Sequence, residues 1–248
     1  MYDLEMRRRA LALLAEGRSL NSVSRMTGVS RSAIRDWRTR VEPRRSGTDC
    51  VGRASGPAYA YLLGLYLGDG CISPQPRGGH ALRIVCADAW PGLIDACEVA
   101  MKAVRPGNSV CRVHSQGCTM VTSYSDHWPC LFPQHGPGRK HERRIALEPW
   151  QQAVVDERPW DFLRWLIHSD GSRVVNRITR TAAGETGHYE YPRYFFTNRS
   201  DDIRRLCTDT LDTLDALGVA WRQANACNIS VARREAVALM DRFIGPKH

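Results

Sequence analysis

"YLLGLYLGDG" runs from Tyr61 to Gly70. It reads as an apolar helix that ends in an acid and a glycine. A carboxylate at a helix C-terminus faces the negative end of the macrodipole, an unfavourable placement of roughly 0.3–1 kcal/mol. An acid kept at such a position needs a purpose and a counter-charge. A second stretch, "FLRWLIHSDG" from Phe162 to Gly171, poses the same problem.

Aligned on their acids, the two stretches lie 101 residues apart. Leu62 meets Leu163, Leu65 meets Leu166, Asp69 meets Asp170 and Gly70 meets Gly171; Gly68 meets Ser169, small with small. After each glycine the helical period gives way to strand-like alternation. "CISPQPR" places Ile72 inward, with Ser73, Gln75 and Arg77 outward. "SRVVNRITR" places Val174 and Ile178 on one face, and Arg173, Arg177 and Thr179 on the other. A further strand follows in each half, "ALRIVCA" and "YPRYFFTN", then a helix over about 90–104 or 200–217, two short strands and a closing helix. The chain thus reads as two copies of α-β-β-α-β-β-α, an internal duplication.

The units "LLGLYLGDG" and "LRWLIHSDG" resemble the two motifs of the LAGLIDADG homing endonucleases, over about residues 57–245. The resemblance implies two motif helices packed side by side in a monomer with internal pseudo-two-fold symmetry. It implies a shared site beneath two curved sheets that straddle double-stranded DNA. Carried over by position, Asp69 and Asp170 are catalytic metal ligands, and the carbonyls of Gly68 and Ser169 complete the shell. Two juxtaposed carboxylates repel each other, and a divalent cation reverses that term. Hard oxygen ligands with few protein anchors suit Mg²⁺, or Mn²⁺ in its place. Lys140, in "GPGRKHERR" between the halves, is a candidate catalytic positive charge. Arg77, Arg83, Arg112, Arg173, Arg177 and Arg193 fall at outward strand positions, where a sheet face holds phosphates and reads bases. The third motif position is Gly64 in one copy and Trp165 in the other. If the helices touch there, Trp165 fills the space above Gly64.

The first 45 residues hold eleven arginines against five acids, most of the chain's formal charge of +9. Three short helices fit. Gly17 stops the first, Ser19 caps the second, Gly28 makes a turn and Ser30 caps the third. Ala33, Ile34 and Trp37 give the third helix an inner face and leave Arg31, Ser32, Arg35 and Arg38 outside. "GVSRSAIRDWR" resembles the helix-turn-helix of resolvase- and transposase-type DNA-binding domains. That likeness places Arg31, Ser32 and Arg35 at base edges.

Only three of the 35 basic residues are lysine, a balance that suits bidentate contact with nucleic acid. Nine cysteines with no CxxC pair read as reduced thiols, in a cytoplasmic, nucleoid-associated protein. The longest charge-free stretch near the first motif is fifteen residues, against about 20 for a membrane span. The expected organisation is a helix-turn-helix over 1–45, a linker over 46–56, a first half over 57–135, a connection over 136–158 and a second half over 159–248. The fold class is α+β. Two functions fit: a metal-dependent, sequence-specific DNA endonuclease, or a transcriptional regulator that reuses the fold without cutting.

Overall fold

A computed structural model describes residues 4–39, 56–76, 78–182 and 185–248. Arg77 and nearly all of the expected linker lie outside them. The chain divides into two compact units, Met1–Thr48 and Asp49–His248.

The first unit is all helix: α1 (Leu4–Ala15), α2 (Leu20–Thr27) and α3 (Arg31–Thr39). The local signals act as the sequence implies. Gly17 and Gly28 take φ of 83° and 68°. Ser19 accepts from the Ser22 amide, and the Ser30 hydroxyl accepts from the Ala33 amide at 3.3 Å. Ala10, Val23, Val29, Ile34 and Trp37 form the core, with the Arg7 guanidinium 5.3 Å from the Trp37 ring centroid.

The second unit is built on two motif helices, α4 (Pro57–Asp69) and α8 (Pro159–Asp170). Each begins with proline, whose missing N–H is no loss in a first turn. Each ends on its acid and passes directly into a strand: β1 (Gly70–Pro74) or β5 (Gly171–Ala182). The glycine after each acid is required sterically. A Cβ on Gly70 would lie 2.5 Å from the Cα of Tyr66, and one on Gly171 would lie 2.7 Å from the carbonyl oxygen of Ile167.

Each half then adds a strand, β2 (His80–Ala87) or β6 (Glu185–Thr197), and a helix, α5 (Pro91–Val104) or α9 (Asp201–Thr213). The remaining strands are β3 (Val110–Ser115) and β4 (Cys118–Ser125) in the first half, β7 (Arg222–Asn225) and β8 (Asn228–Val231) in the second. The halves close with α6 (Trp128–Leu131) and α10 (Arg234–Phe243). Both sheets are antiparallel, ordered β1-β2-β4-β3 and β5-β6-β8-β7. The same order twice is the duplication made visible, and the chain is α+β.

The connection between the halves holds a helix that the sequence pattern did not announce, α7 (Pro149–Glu157). Glu148 and Gln151 cap it reciprocally. Gln151 is fully buried and donates to the Tyr59 hydroxyl at 2.7 Å, which ties the connection to α4. Among the described residues, seven cysteines are free thiols and Cys130 is disulfide-bonded, against the expectation of reduced thiols throughout. No helix among the described residues is long and apolar enough to cross a membrane.

Candidate active site

The two motif helices approach most closely where their small residues fall. A Cβ on Gly68 would stand 2.5 Å from the Ser169 Cβ and 3.2 Å from Asp170 Oδ2. A Cβ on Gly64 would stand 2.9 Å from the carbonyl of Phe162 and 3.0 Å from the Trp165 Cβ. Positions 64 and 165 therefore meet. The indole, however, does not sit above Gly64. It lies against Tyr61, one turn earlier on α4, with ring centroids 3.6 Å apart, and edge-on to His168. The glycine accommodates the backbone of α8, and the bulk of Trp165 passes to one side.

This approach brings Asp69 and Asp170 into one cavity of about 500 Å³, bordered also by Arg139, Lys140, Arg143 and Arg199. Asp69 opens to the cavity, yet protein desolvates its other sides. That burial, then the neighbouring Asp170, pushes its pKa up to about 6, while Lys140 and Lys247 pull it down. Asp170 is also raised by burial. It is held ionisable by a 2.7 Å hydrogen bond from the Asn198 side-chain amide and by the same two lysines.

The lysines supply the counter-charge that the helix-end acids demand. The Lys140 ammonium donates to the last carbonyls of α4: to Tyr66, to Leu67 at 3.0 Å and to Gly68 at 2.9 Å. It also lies 4.9 Å from the Tyr66 ring centroid. Lys247 donates to the Gly171 carbonyl at 2.7 Å. Burial lowers the pKa of both, Lys140 to about 8, while the two acids raise it. Two of the chain's three lysines converge here, where compact ammonium groups reach between backbone carbonyls and carboxylates. His168, which occupies the motif position before Ser169, is buried and faces the Gly245 carbonyl at 3.2 Å; burial lowers its pKa to about 4, so it is neutral.

Asp69, Asp170, Gly68, Ser169 and Lys140, named from sequence, are thus brought together. Asn198, Lys247 and Arg199 were missed. The scarcity of lysine was a usable signal for Lys247; Asn198 carried none.

The sheet arginines divide differently from the sequence reading. In the first sheet, register places Ile72, Ile84, Val121 and Arg112 on the helix-covered face, and Ser73 and Arg83 on the open one. Arg83 donates to the Ser73 hydroxyl on that open face. Arg112 instead pairs with Asp95 at 2.8 Å and with Glu98 at 2.6 Å, both on α5. In the second sheet, Arg173 shares its face with the buried Tyr194 and binds Asp241 of α10 at 2.7 Å. Arg177 is on the same face and pairs with Glu190 at 2.9 Å. Val174 and Ile178 lie on the open face with Arg193. The expectation that Arg112 and Arg173 point outward is corrected, because acids of α5 and α10 hold them on the helix-covered side; Arg177, in register with that face, is 81% exposed. On α3, Arg31, Ser32, Arg35 and Arg38 are all exposed, and Arg31 donates to Asn21 at 3.1 Å.

No group of three acidic, histidine or cysteine ligands occurs among the described residues. The donor set at the site is two carboxylates and the adjacent carbonyls. Their mutual opposition to ionisation, in a cavity open to solvent, fits a hard divalent cation that keeps most of its own waters.

Fold and site together define a duplicated α+β protein with paired helix-end carboxylates, preceded in sequence by a three-helix domain. Residues 1–51 match the family model of a homeodomain-like domain. No curated protein matches the chain. Among solved structures, the chain is similar in fold to LAGLIDADG homing endonucleases. I-DmoI in complex with DNA and Mn is 13% identical, with a TM-score of 0.46 over 77% of this chain and 98% of that one. I-SmaMI bound to uncleaved DNA in the presence of calcium is 9% identical, with a TM-score of 0.46 over 76% of this chain and 84% of that one. The LAGLIDADG meganuclease I-CpaMI bound to uncleaved DNA is 9% identical, with the same score over 76% and 85%.

Proposed function

We propose that this chain is a monomeric, sequence-specific double-stranded DNA endonuclease that hydrolyses phosphodiester bonds with Mg²⁺ or Mn²⁺. The observation that carries this reading is the pair of carboxylates at adjacent helix ends, each resisting ionisation, in a cavity rimmed by arginines. Asp69 and Asp170 would hold the cation, with the Ser169 carbonyl and, once Lys140 releases it, the Gly68 carbonyl. A divalent cation there supplies Lewis-acid polarisation of the phosphodiester and a nucleophile at neutral pH. The chain's own residues do the rest. Asn198 fixes the orientation of Asp170. Lys140, Arg143 and Arg199 bring positive charge to the scissile phosphate. The exposed side chains of α3 and the open sheet faces, Arg83 and Arg193 among them, contact the duplex.

The test is cleavage of supercoiled plasmid libraries of genomic DNA with Mg²⁺ or Mn²⁺. Asp69→Asn and Asp170→Asn should each abolish cutting and leave DNA affinity in Ca²⁺ nearly unchanged. A second reading, a transcriptional regulator, draws on one observation: Lys140 and Lys247 bring positive charge beside both acids. Wild-type protein that binds a site yet fails to cut it, whichever divalent ion is supplied, would establish that reading in place of the first.

A further inference from the structure

The open face of the second sheet carries a cavity of about 510 Å³ that shares no residue with the two-acid site. Tyr191, Arg193, Arg222, Ser230 and Arg233 line it, with apolar wall from Ile178. Three guanidinium groups and no acid among the lining residues select an anion. Two polar atoms point to more than an anion. Arg193 Nε and Ser230 Oγ are buried and have no hydrogen-bond partner among the described residues. Ser230 is only 1% exposed, and a buried polar atom without a partner is costly to the fold unless something else supplies one. Beside them, Tyr191 is 39% exposed and stacks with the exposed Tyr189 at 6.3 Å and 18°. An exposed aromatic face beside buried hydrogen-bonding groups suits a flat, polar-edged ring.

The first sheet offers no counterpart. Superposing the Gly70–Ile84 pair on the Gly171–Phe196 pair places Ala81 at the position of Arg193, Thr122 at that of Ser230 and Cys111 at that of Arg222. The buried, unpartnered hydroxyl is common to both halves, as Thr122 Oγ1 and Ser230 Oγ; the guanidinium groups at these positions belong to the second.

We propose that this cavity receives a single nucleotide unit. Its base lies on Tyr191, the base edge meets Arg193 Nε and Ser230 Oγ, and the phosphate sits between Arg222 and Arg233. A tetrahedral oxyanion alone would leave Tyr191 and Ile178 without a role and most of the volume unfilled. The same chemistry is offered by a free mononucleotide and by a nucleotide turned out of a bound strand. The site does not depend on the cleavage reading.

The test uses the full chain. Calorimetry compares the four deoxynucleoside monophosphates with inorganic phosphate. A parallel arm follows 2-aminopurine fluorescence in single-stranded and duplex oligonucleotides. At least one mononucleotide should bind about tenfold or more tighter than phosphate. Tyr191→Ala should weaken it about tenfold, the scale of removing a single base–aromatic stack. Ser230→Ala should weaken it less, and Lys102→Ala, on the exposed side of α5, should not change it. A 2-aminopurine signal that disappears in Tyr191→Ala identifies the strand as the source; mononucleotide binding without that signal identifies the free nucleotide. Tyr191 is exposed, so its alanine variant keeps the fold, which circular dichroism checks. Equal binding of phosphate and nucleotides, binding indifferent to Tyr191→Ala, or no binding in either arm would overturn the proposal. Failure of duplex binding alone, with mononucleotide binding intact, would count against the endonuclease reading and leave this one standing.

Discussion

The two halves of the second unit share a strand order and a motif helix, yet they treat their acids differently. Asp170 receives an amide hydrogen bond from Asn198. The matching position in the first half, two residues beyond Ile84 as Asn198 is beyond Phe196, is Cys86, whose thiol is engaged with Cys97. Asp69 therefore has lysines to hold its charge but no side-chain amide. A duplicated backbone fixes where the carboxylates stand; the residues around them decide which one gives up its proton first. The same asymmetry runs through the helix contact, where Gly64 in one half faces the Phe162 carbonyl and the Trp165 Cβ in the other.

The largest effect expected from breaking that asymmetry is at Trp165, which is 3% exposed. Trp165→Ala should cost about 3–5 kcal/mol of unfolding free energy, the range for large-to-small aromatic changes in a core. Denaturant unfolding of the full chain measures it. Gly64→Ala comes next, at about 1–3 kcal/mol, as overpacking of a tight contact. Because the Gly64 Cβ would meet the Phe162 carbonyl as well as the Trp165 Cβ, trimming Trp165 should not rescue it. Full rescue in the double variant would show that side chains, not the backbone of α8, set this contact.

The third prediction concerns protons. Cation binding needs both carboxylates ionised, so Mn²⁺ affinity should fall as pH drops through about 6, the pKa of Asp69. Stability of the metal-free protein should run the other way. Folded Asp69 holds its proton to a higher pH than unfolded Asp69, so it lowers stability as pH rises from about 4 to 6, and Asp69→Asn should remove that decline. Asn198→Ala takes away a donor to the charged form of Asp170. The pH of half-maximal Mn²⁺ binding should then move up by about one to two units, since such hydrogen bonds are worth about 1.5–3 kcal/mol. A pH profile unmoved by Asn198→Ala would mean the halves are electrostatically alike.

What was legible in the sequence was whatever repeated at fixed spacing or obeyed a local rule. The acids, the small residues at Gly68 and Ser169, the glycines after the acids and the capped helices of the first unit are of this kind. The faces of β5 were not. Alternation assigns two faces but does not say which one is covered, and an arginine stem packs against a helix as readily as it reaches solvent. Arg173 stands on the covered side because Asp241, 68 residues later, waits there. Asn198 and Lys247 reach the site through tertiary folding, 28 and 76 residues from the groups they bind. Helix α7 had a signal, Glu148 before Pro149 with Gln151 behind it, but Glu is a rarer cap than Ser or Asp.

The smallest expected effect sharpens the comparison of the two sheet faces. If the duplex lies on the open faces, only arginines there neutralise phosphates. Removing one phosphate-neutralising side chain should flatten the dependence of log affinity on log salt by about one. Arg83→Ala and Arg222→Ala should therefore each reduce the salt slope by about that amount. Arg173→Ala should leave the slope unchanged, because its guanidinium is committed to Asp241 at 2.7 and 2.9 Å on the helix-covered face. Arg173→Ala removes an ion pair that also orients Tyr194, whose hydroxyl donates to Asp241 at 2.6 Å, so a modest loss of stability should accompany the unchanged slope. The two measurements separate the roles: stability without slope for the covered arginine, slope without stability for the open ones. An Arg173→Ala variant that flattens the salt dependence as much as Arg222→Ala would place DNA on the covered face, and the division of the sheet arginines drawn from strand register would be wrong.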